Sequence, residues 1–101
     1  MKPALLVLGV ALALGGCRRS PPVTSEECDR LLDRYVELLL RQDDPKVGSV
    51  EINRHQVETR IRASSNGPFL HCTREVNREQ MDCGLAAYNP DEIERCLVPI
   101  P

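Results

Sequence analysis

The stretch TSEECDRLLDRYVELLLRQ, residues 24–42, carries the clearest helical pattern of this 101-residue chain. Thr24 is followed three residues later by Glu27, which is the form of an N-terminal capping box. Apolar residues then recur at spacings of three and four, as on one face of a helix. They are Cys28, Leu31, Leu32, Tyr35, Val36, Leu39 and Leu40. Pro45 follows two aspartates and cannot continue the hydrogen-bond ladder, so we predict a helix over residues 26–42.

Further helical segments follow towards the C-terminus. Residues 51–63 predict a helix with Val57 and Ile61 inward, although residues 50–52 could equally begin a strand. A short helix is expected over residues 68–76. Two more helices are predicted by polar caps, one at Asn77 with Gln80 and one at Asn89 before Pro90. The first covers residues 78–87, with Met81, Leu85 and Tyr88 inward. The second covers residues 90–97, with Ile93, Cys96 and Leu97 inward. The expected fold is a small all-α domain of about four helices over residues 24–101.

An export signal is predicted before this domain. Lys2 is followed by an unbroken apolar run over residues 4–14, which is long enough for a signal-peptide core and too short to span a bilayer. The run ends in Leu14-Gly15-Gly16-Cys17, which resembles the lipobox of bacterial lipoprotein precursors. That resemblance implies a diacylglycerol on the Cys17 thiol, removal of residues 1–16, and acylation of the new amino group. The alternative is an ordinary signal peptide with a chance cysteine.

A tether is expected between this anchor and the domain. Residues 17–23 begin with the lipidated cysteine, and Pro21 and Pro22 favour an extended, semi-stiff chain. The resemblance also implies a location, because in the best-known sorting rule an aspartate after the cysteine retains lipoproteins in the inner membrane. Arg18 stands there instead. We therefore expect a membrane-anchored protein of the bacterial cell envelope that faces the periplasm, with the outer membrane favoured.

Four cysteines remain once Cys17 is set aside. An even number in a small exported domain favours two disulfides over free thiols. Three pairings are possible. We expect Cys72–Cys83 across the turn near Asn77, with Cys28–Cys96 joining the first helix to the last. Cys83–Cys96 across the turn near Asn89 is an alternative.

Composition and motifs exclude several functions. The net charge of −2 and the presence of only three aromatic residues argue against nucleic-acid binding. His55 and His71 are the only imidazoles, and we expect a solvated His55 and a half-buried His71. The sequence has no C-x₂-C and no H-x₃-H spacing of a zinc site, no C-x-x-C-H of a haem site, and no C-x-x-C of a thiol–disulfide catalyst. The pairs Asp43-Asp44 and Asp91-Glu92 are interpreted as a helix end and a helix start. We predict no enzyme activity, no metal and no cofactor.

An interaction or structural role is therefore expected, with another envelope protein as the possible partner. The predicted contact region is the outward face of the first helix, which mixes both charges. Its residues are Asp29, Arg30, Asp33, Arg34, Glu37 and Arg41. The segment MDCGLAAYNPDEIERCL, residues 81–97, is similar to small cysteine-containing lipoproteins of delta-proteobacterial type, which have no assigned activity. A small metal-binding or redox protein and an accessory or inhibitor subunit of an envelope enzyme are the alternatives.

Overall fold

Five helices make up the part of the chain that the structure, a computed structural model, describes, namely residues 20–67 and 69–98. They are α1 (Ser25–Asp43), α2 (Ser49–Ala63), α3 (Cys72–Glu75), α4 (Arg78–Leu85) and α5 (Pro90–Leu97). These residues contain no strand, so the all-α prediction is confirmed, with five helices where about four were expected. The predicted signal peptide and Cys17 lie outside the described residues.

Three of the helices begin at the caps that the sequence predicts. At α1 the backbone N–H of Glu27 donates to the Thr24 hydroxyl over 3.1 Å, and the Thr24 N–H donates to the Glu27 carboxylate over 3.0 Å. Asn77 and Gln80 form the same reciprocal box before α4. The Asn89 side chain accepts from the N–H of Glu92 at the start of α5. Each cap satisfies amide groups that the first turn of a helix leaves unpaired.

The second helix differs from its prediction in which face it buries. It begins at Ser49, and Ile52 is buried, whereas Val57 and Ile61 are exposed. The expectation that Val57 and Ile61 point inward is therefore wrong. They follow Ile52 by five and nine residues, which places them on the opposite side of a helix with 3.6 residues per turn. Among the described helices, α2 packs only on α1, so just one of its faces is covered.

The longest helix is the centre of the fold, because α1 contacts each of the other four described helices. On one side of α1 lies the main core, in which Leu31, Met81 and Ile93 are fully buried. The complete cluster is Val23, Cys28, Leu31, Leu38, Cys72, Met81, Ala87 and Ile93. Leu32 and Val36 are buried as well but lie outside this cluster, as does Ile52 of α2.

Two residues predicted to point inward, Leu39 and Tyr88, are exposed in the structure. Leu38 is buried and Leu39 is exposed, although Leu32, seven residues earlier on the same side of α1, is buried. Tyr88 is exposed as well. Since α4 ends at Leu85, Tyr88 follows the helix and lies in the connection to α5 instead of on an inward face.

Two disulfides are present, as predicted, but the preferred pairing is wrong. Cys28 is bonded to Cys72 and Cys83 to Cys96, with Cα–Cα distances of 6.2 and 5.7 Å. Neither Cys28–Cys96 nor Cys72–Cys83 forms. The cause is the packing of the short α3 on α1, which brings Cys72 to Cys28, while α4 and α5 pack on each other around Asn89. The second bond is therefore the alternative pairing across the Asn89 turn.

Candidate functional site

The point where the predicted tether joins the domain is the first place to look for function. Cys17 itself lies outside the described residues, but residues 20–23 are described. Val23 is buried in the core, and the carbonyls of Pro21 and Pro22 accept hydrogen bonds from the Arg78 guanidinium over 3.3 and 3.0 Å. The described part of the expected tether is therefore held on the domain from Pro21 onwards.

An ionic cluster of Arg78, Glu27 and Asp82 holds this part of the tether. We call it the Arg78 clamp. Arg78 donates to both carboxylate oxygens of Glu27, over 2.6 and 2.7 Å, and to Asp82 over 3.1 Å. The side chains of Arg78 and Glu27 are only 19% and 16% exposed. The hydrogen bond from Arg78, aided by that from the Thr24 backbone, lowers the pKa of Glu27 from 4.5 to about 2.

Sequence reasoning did not find this clamp. Arg78 and Asp82 have the spacing of a helical ion pair, and Glu27 occupies a capping position, so each residue had a local explanation. The pair between Arg78 and Glu27 bridges 51 positions of the chain. Only the packing of α4 against α1 brings the two residues together.

A cleft of about 920 Å³ lies beside the disulfides, between α3, α4 and α5. Its apolar lining includes Phe69, Val76 and Leu97, and both Cys83 and Cys96 border it. The charged residues at the cleft are Glu75, Glu79 and Arg95. No histidine lines it, so its chemistry is that of an apolar recess with charges at its border.

The two histidines have separate local partners. His55 lies 3.1 Å from the Glu51 carboxylate on the same helix. His71 lies 2.7 Å from the Arg74 guanidinium and is exposed, not half-buried as expected. Across residues 20–67 and 69–98, no three His, Cys, Asp or Glu side chains are grouped closely enough to hold a metal ion.

Both carboxylate pairs have structural roles where the structure describes them. Asp44 caps the end of α1 and accepts from the N–H of Lys46 over 3.0 Å. Asp91 pairs with Arg95 over 2.9 Å, and Glu92 accepts from the N–H of Tyr88 over 2.6 Å. The interpretation of the first pair as a helix end and of the second as a helix start is confirmed.

The charged face of α1 is less open than the sequence suggests. Asp33 pairs with Arg60 of α2, whose Nε–H donates to the Asp33 carboxylate over 2.9 Å. This pair joins the two helices. Arg34 donates to the carbonyl of Ala87 over 2.9 Å, on the other side of α1. The expectation of one outward face is therefore wrong at these two positions. Asp29 and Arg30 are exposed, and Glu37 pairs with Arg41 within α1.

Tyr35 provides a further contact that the apolar pattern concealed. Its ring packs against the core, while its hydroxyl donates to the Glu94 carboxylate of α5. The hydrogen bond to Glu94, aided by partial burial and by the negative charge of that carboxylate, raises the pKa of Tyr35 to about 12. The contact fastens α5 to α1 and is a structural feature.

Comparison with known protein families, with curated proteins and with solved structures found no match to this chain. None of the described helices combines the length and the apolar character needed to cross a bilayer.

Proposed function

We propose that this chain is a bacterial lipoprotein, anchored in the cell envelope by lipid on Cys17, whose domain acts through contacts and not through catalysis. The observation that carries the proposal is Leu14-Gly15-Gly16-Cys17 at the end of an eleven-residue apolar run. A thioether-linked diacylglycerol together with an acylated amino group provides several chains. Several chains give stable membrane attachment, whereas one acyl chain gives only marginal binding.

The disulfides support export. Disulfides form and persist in oxidising compartments such as the periplasm and are rare in the cytosol. The domain holds two, Cys28–Cys72 and Cys83–Cys96, and its fully buried side chains are few. Small domains with limited cores depend on such cross-links.

A non-catalytic role is supported by how the reactive side chains of the described residues are used. His55 pairs with Glu51, and the carboxylates of Glu27 and Asp33 are engaged by arginines. These groups stabilise helices and the contacts between them. The exposed surface is then the part of the molecule that acts, with a membrane on one side and an envelope protein as its further partner.

Cell fractionation of a Cys17→Ser variant tests the proposal. We expect the wild-type protein to sediment with membranes and to have a lipidated Cys17 as its first residue by intact mass spectrometry. Cys17→Ser should appear without lipid. Any Cys17→Ser chain from which residues 1–16 have been removed should leave the membrane fraction. A Cys83→Ser/Cys96→Ser double variant serves as the control for loss of cysteine, and we expect it to remain lipidated. An unmodified Cys17 in the wild-type protein would overturn the proposal.

A further inference from the structure

The two disulfides differ in how far solvent reaches them. Cys28 and Cys72 are 8% and 3% exposed and belong to the main core. A small cleft borders both of these residues, yet they stay buried. In the pair that joins α4 to α5, Cys83 is exposed and Cys96 is half-buried. Of the two bonds, the second therefore lies at the surface of the described domain.

The exposed bond lies between two clefts. One is the cleft of about 920 Å³ between α3, α4 and α5, and the other, of about 400 Å³, lies along the α4–α5 connection. Three residues line both clefts, namely Cys83, Arg95 and Cys96. Val98 borders the first cleft and Tyr88 the second, and they are 60% and 82% exposed. A reactant can therefore approach this bond from either side, over a partly apolar surface.

The charges around the bond do not favour an incoming thiolate. Arg95 is the cation that the two clefts share, and it pairs with Asp91 over 2.9 Å. The carboxylates at the two clefts are those of Glu75, Glu79 and Glu92. The rate of exchange at a disulfide also depends on access to the sulfur that is attacked. Access is therefore the property that distinguishes Cys83 and Cys96 from the buried pair.

Other contacts hold α5 in place besides this disulfide. Ile93 is 1% exposed in the main cluster, and the Tyr35 hydroxyl donates to the Glu94 carboxylate. The Gln80 side chain donates to the Leu97 carbonyl over 3.3 Å. The buried disulfide separately keeps α3 on α1. We therefore expect the domain to stay folded, and the bond to be able to close again, when the exposed disulfide is opened.

We infer that Cys83–Cys96 is a site of thiol–disulfide exchange with a protein that carries a reactive dithiol, whereas Cys28–Cys72 is a permanent cross-link. Exposed disulfides are the labile ones, since the attacking thiolate must reach a sulfur atom. The chain is the substrate of the exchange, because it lacks the C-x-x-C spacing of a dithiol catalyst. The exchange does not require a lipid on Cys17, so it stands apart from the proposed function.

The exchange proceeds in two steps. A thiolate of the partner attacks Sγ of Cys83, the more exposed sulfur-bearing residue, and forms a mixed disulfide. The Cys83–Cys96 bond breaks as this bond forms, and its electron pair leaves on Sγ of Cys96, which takes up a proton. The second thiol of the partner then attacks the partner's own sulfur and releases Cys83 as a thiol. The chain gains two electrons and two protons, and the partner is oxidised to its disulfide.

Timed reduction of the full-length protein tests the difference between the bonds. The protein is treated with dithiothreitol in mildly alkaline buffer without denaturant, and N-ethylmaleimide blocks the free thiols at intervals. Tryptic mapping should show Cys83 and Cys96 labelled about ten-fold or more faster than Cys28 and Cys72, whose reaction requires the domain to open. In urea, the control, both pairs should react at similar rates. Equal rates or the reverse order without urea would overturn the inference, as would loss of the helical circular dichroism signal while Cys83 reacts.

A protein probe tests the partner. Thioredoxin whose C-x-x-C motif is changed to C-x-x-S can form the mixed disulfide but cannot resolve it. We expect a covalent adduct through peptide 79–95, which contains Cys83, with Cys96 free for alkylation. The Cys83→Ser/Cys96→Ser variant is the matched control and should form no adduct. An adduct through Cys28 or Cys72, or none with a wild-type protein that dithiothreitol reduces, would overturn the assignment.

Discussion

The two sides of α1 are built by different means. On one side, α3, α4 and α5 pack around Met81 and Ile93 and are cross-linked by both disulfides. On the other side, α2 packs alone, buries Ile52, and is joined to α1 by an ion pair between Asp33 and Arg60. We call these the stapled side and the open side.

The difference shows how a small domain divides its stability. Cross-links and a buried cluster stabilise the stapled side, since a domain of this size buries too little apolar surface to do so evenly. The open side depends on fewer buried side chains and on a partly exposed ion pair, which contributes at most about 1 kcal/mol. We therefore expect local opening to begin at α2, as regions with few buried contacts open at lower free energy.

Removing the disulfides should have the largest effect on this comparison. In the loop-entropy account, the bond between Cys28 and Cys72, 44 residues apart, contributes about 4 kcal/mol, and that between Cys83 and Cys96, 13 apart, about 3 kcal/mol. Double substitutions to alanine should lower the free energy of unfolding in that order, measured by urea denaturation. An unchanged midpoint in either double variant would contradict the stapled side as described.

Matched isoleucine truncations should separate the two sides next. Ile93 is 1% exposed in the main cluster, whereas Ile52 is 6% exposed under α2. Truncation of a buried Ile to Ala costs 2–5 kcal/mol, with the larger values where surrounding atoms cannot close the cavity. We expect about 4 kcal/mol for Ile93→Ala and about 2 kcal/mol for Ile52→Ala in the same denaturation assay. A larger loss at Ile52 would reverse the comparison.

Matched glycine substitutions sharpen the contrast in packing density. A Cβ atom at Gly84 of α4 would lie 2.7 Å from Cδ1 of Leu31, which is fully buried and has no free space to move into. Overpacking costs about 1–3 kcal/mol, offset by about 1 kcal/mol of helix propensity. We expect Gly84→Ala to lower stability by about 1 kcal/mol.

Gly48 on the open side is the control for Gly84. A Cβ there would meet nothing within 4 Å, so only the preference for Gly over Ala at this N-cap of α2 counts, and Gly48→Ala should lower stability by about 0.5 kcal/mol. Thermal unfolding of both variants by circular dichroism gives the comparison. Equal effects at the two glycines would mean that α4 does not approach α1 as closely as described.

The Arg78 clamp predicts the smallest effect, which depends on pH. The pKa of Glu27 is about 2 in the folded chain and 4.5 as its ordinary value, so its ionised form is favoured by folding. The resulting stability is fully present above pH 4.5 and is lost as the pH falls towards 2. We expect Glu27→Gln to be less stable than the wild type at pH 7 and to lose less stability between pH 5 and 2. Parallel melting-temperature profiles of the two proteins would contradict the clamp.

Local sequence signals predicted much of the stapled side. The caps at Thr24, Asn77 and Asn89 act through neighbours three residues away, so the starts of α1, α4 and α5 were readable from the chain alone. The number of disulfides followed from composition. The pairing of Cys28 with Cys72 did not, because it depends on where the short α3 packs, and a four-residue helix has no strong pattern of its own.

The open side and the clamp were harder to predict for a related reason. Val57 and Ile61 have the spacing of a core face, and only the absence of a second neighbour beside α2 in the described structure leaves them exposed. Arg78 reaches Glu27 across 51 positions of the chain, a distance over which no periodic pattern carries information. The lipid on Cys17 stays a prediction that rests on the lipobox.

Non-reducing tryptic mapping tests the central claim, the stapling of one side of α1, most directly. Arg30, Arg62, Arg74, Arg78 and Arg95 allow trypsin to place the four cysteines on separate peptides. The account predicts that peptide 20–30 is linked to peptide 63–74, and peptide 79–95 to peptide 96–101, in protein purified without reductant. A link between peptides 20–30 and 96–101, or four free thiols, would contradict it.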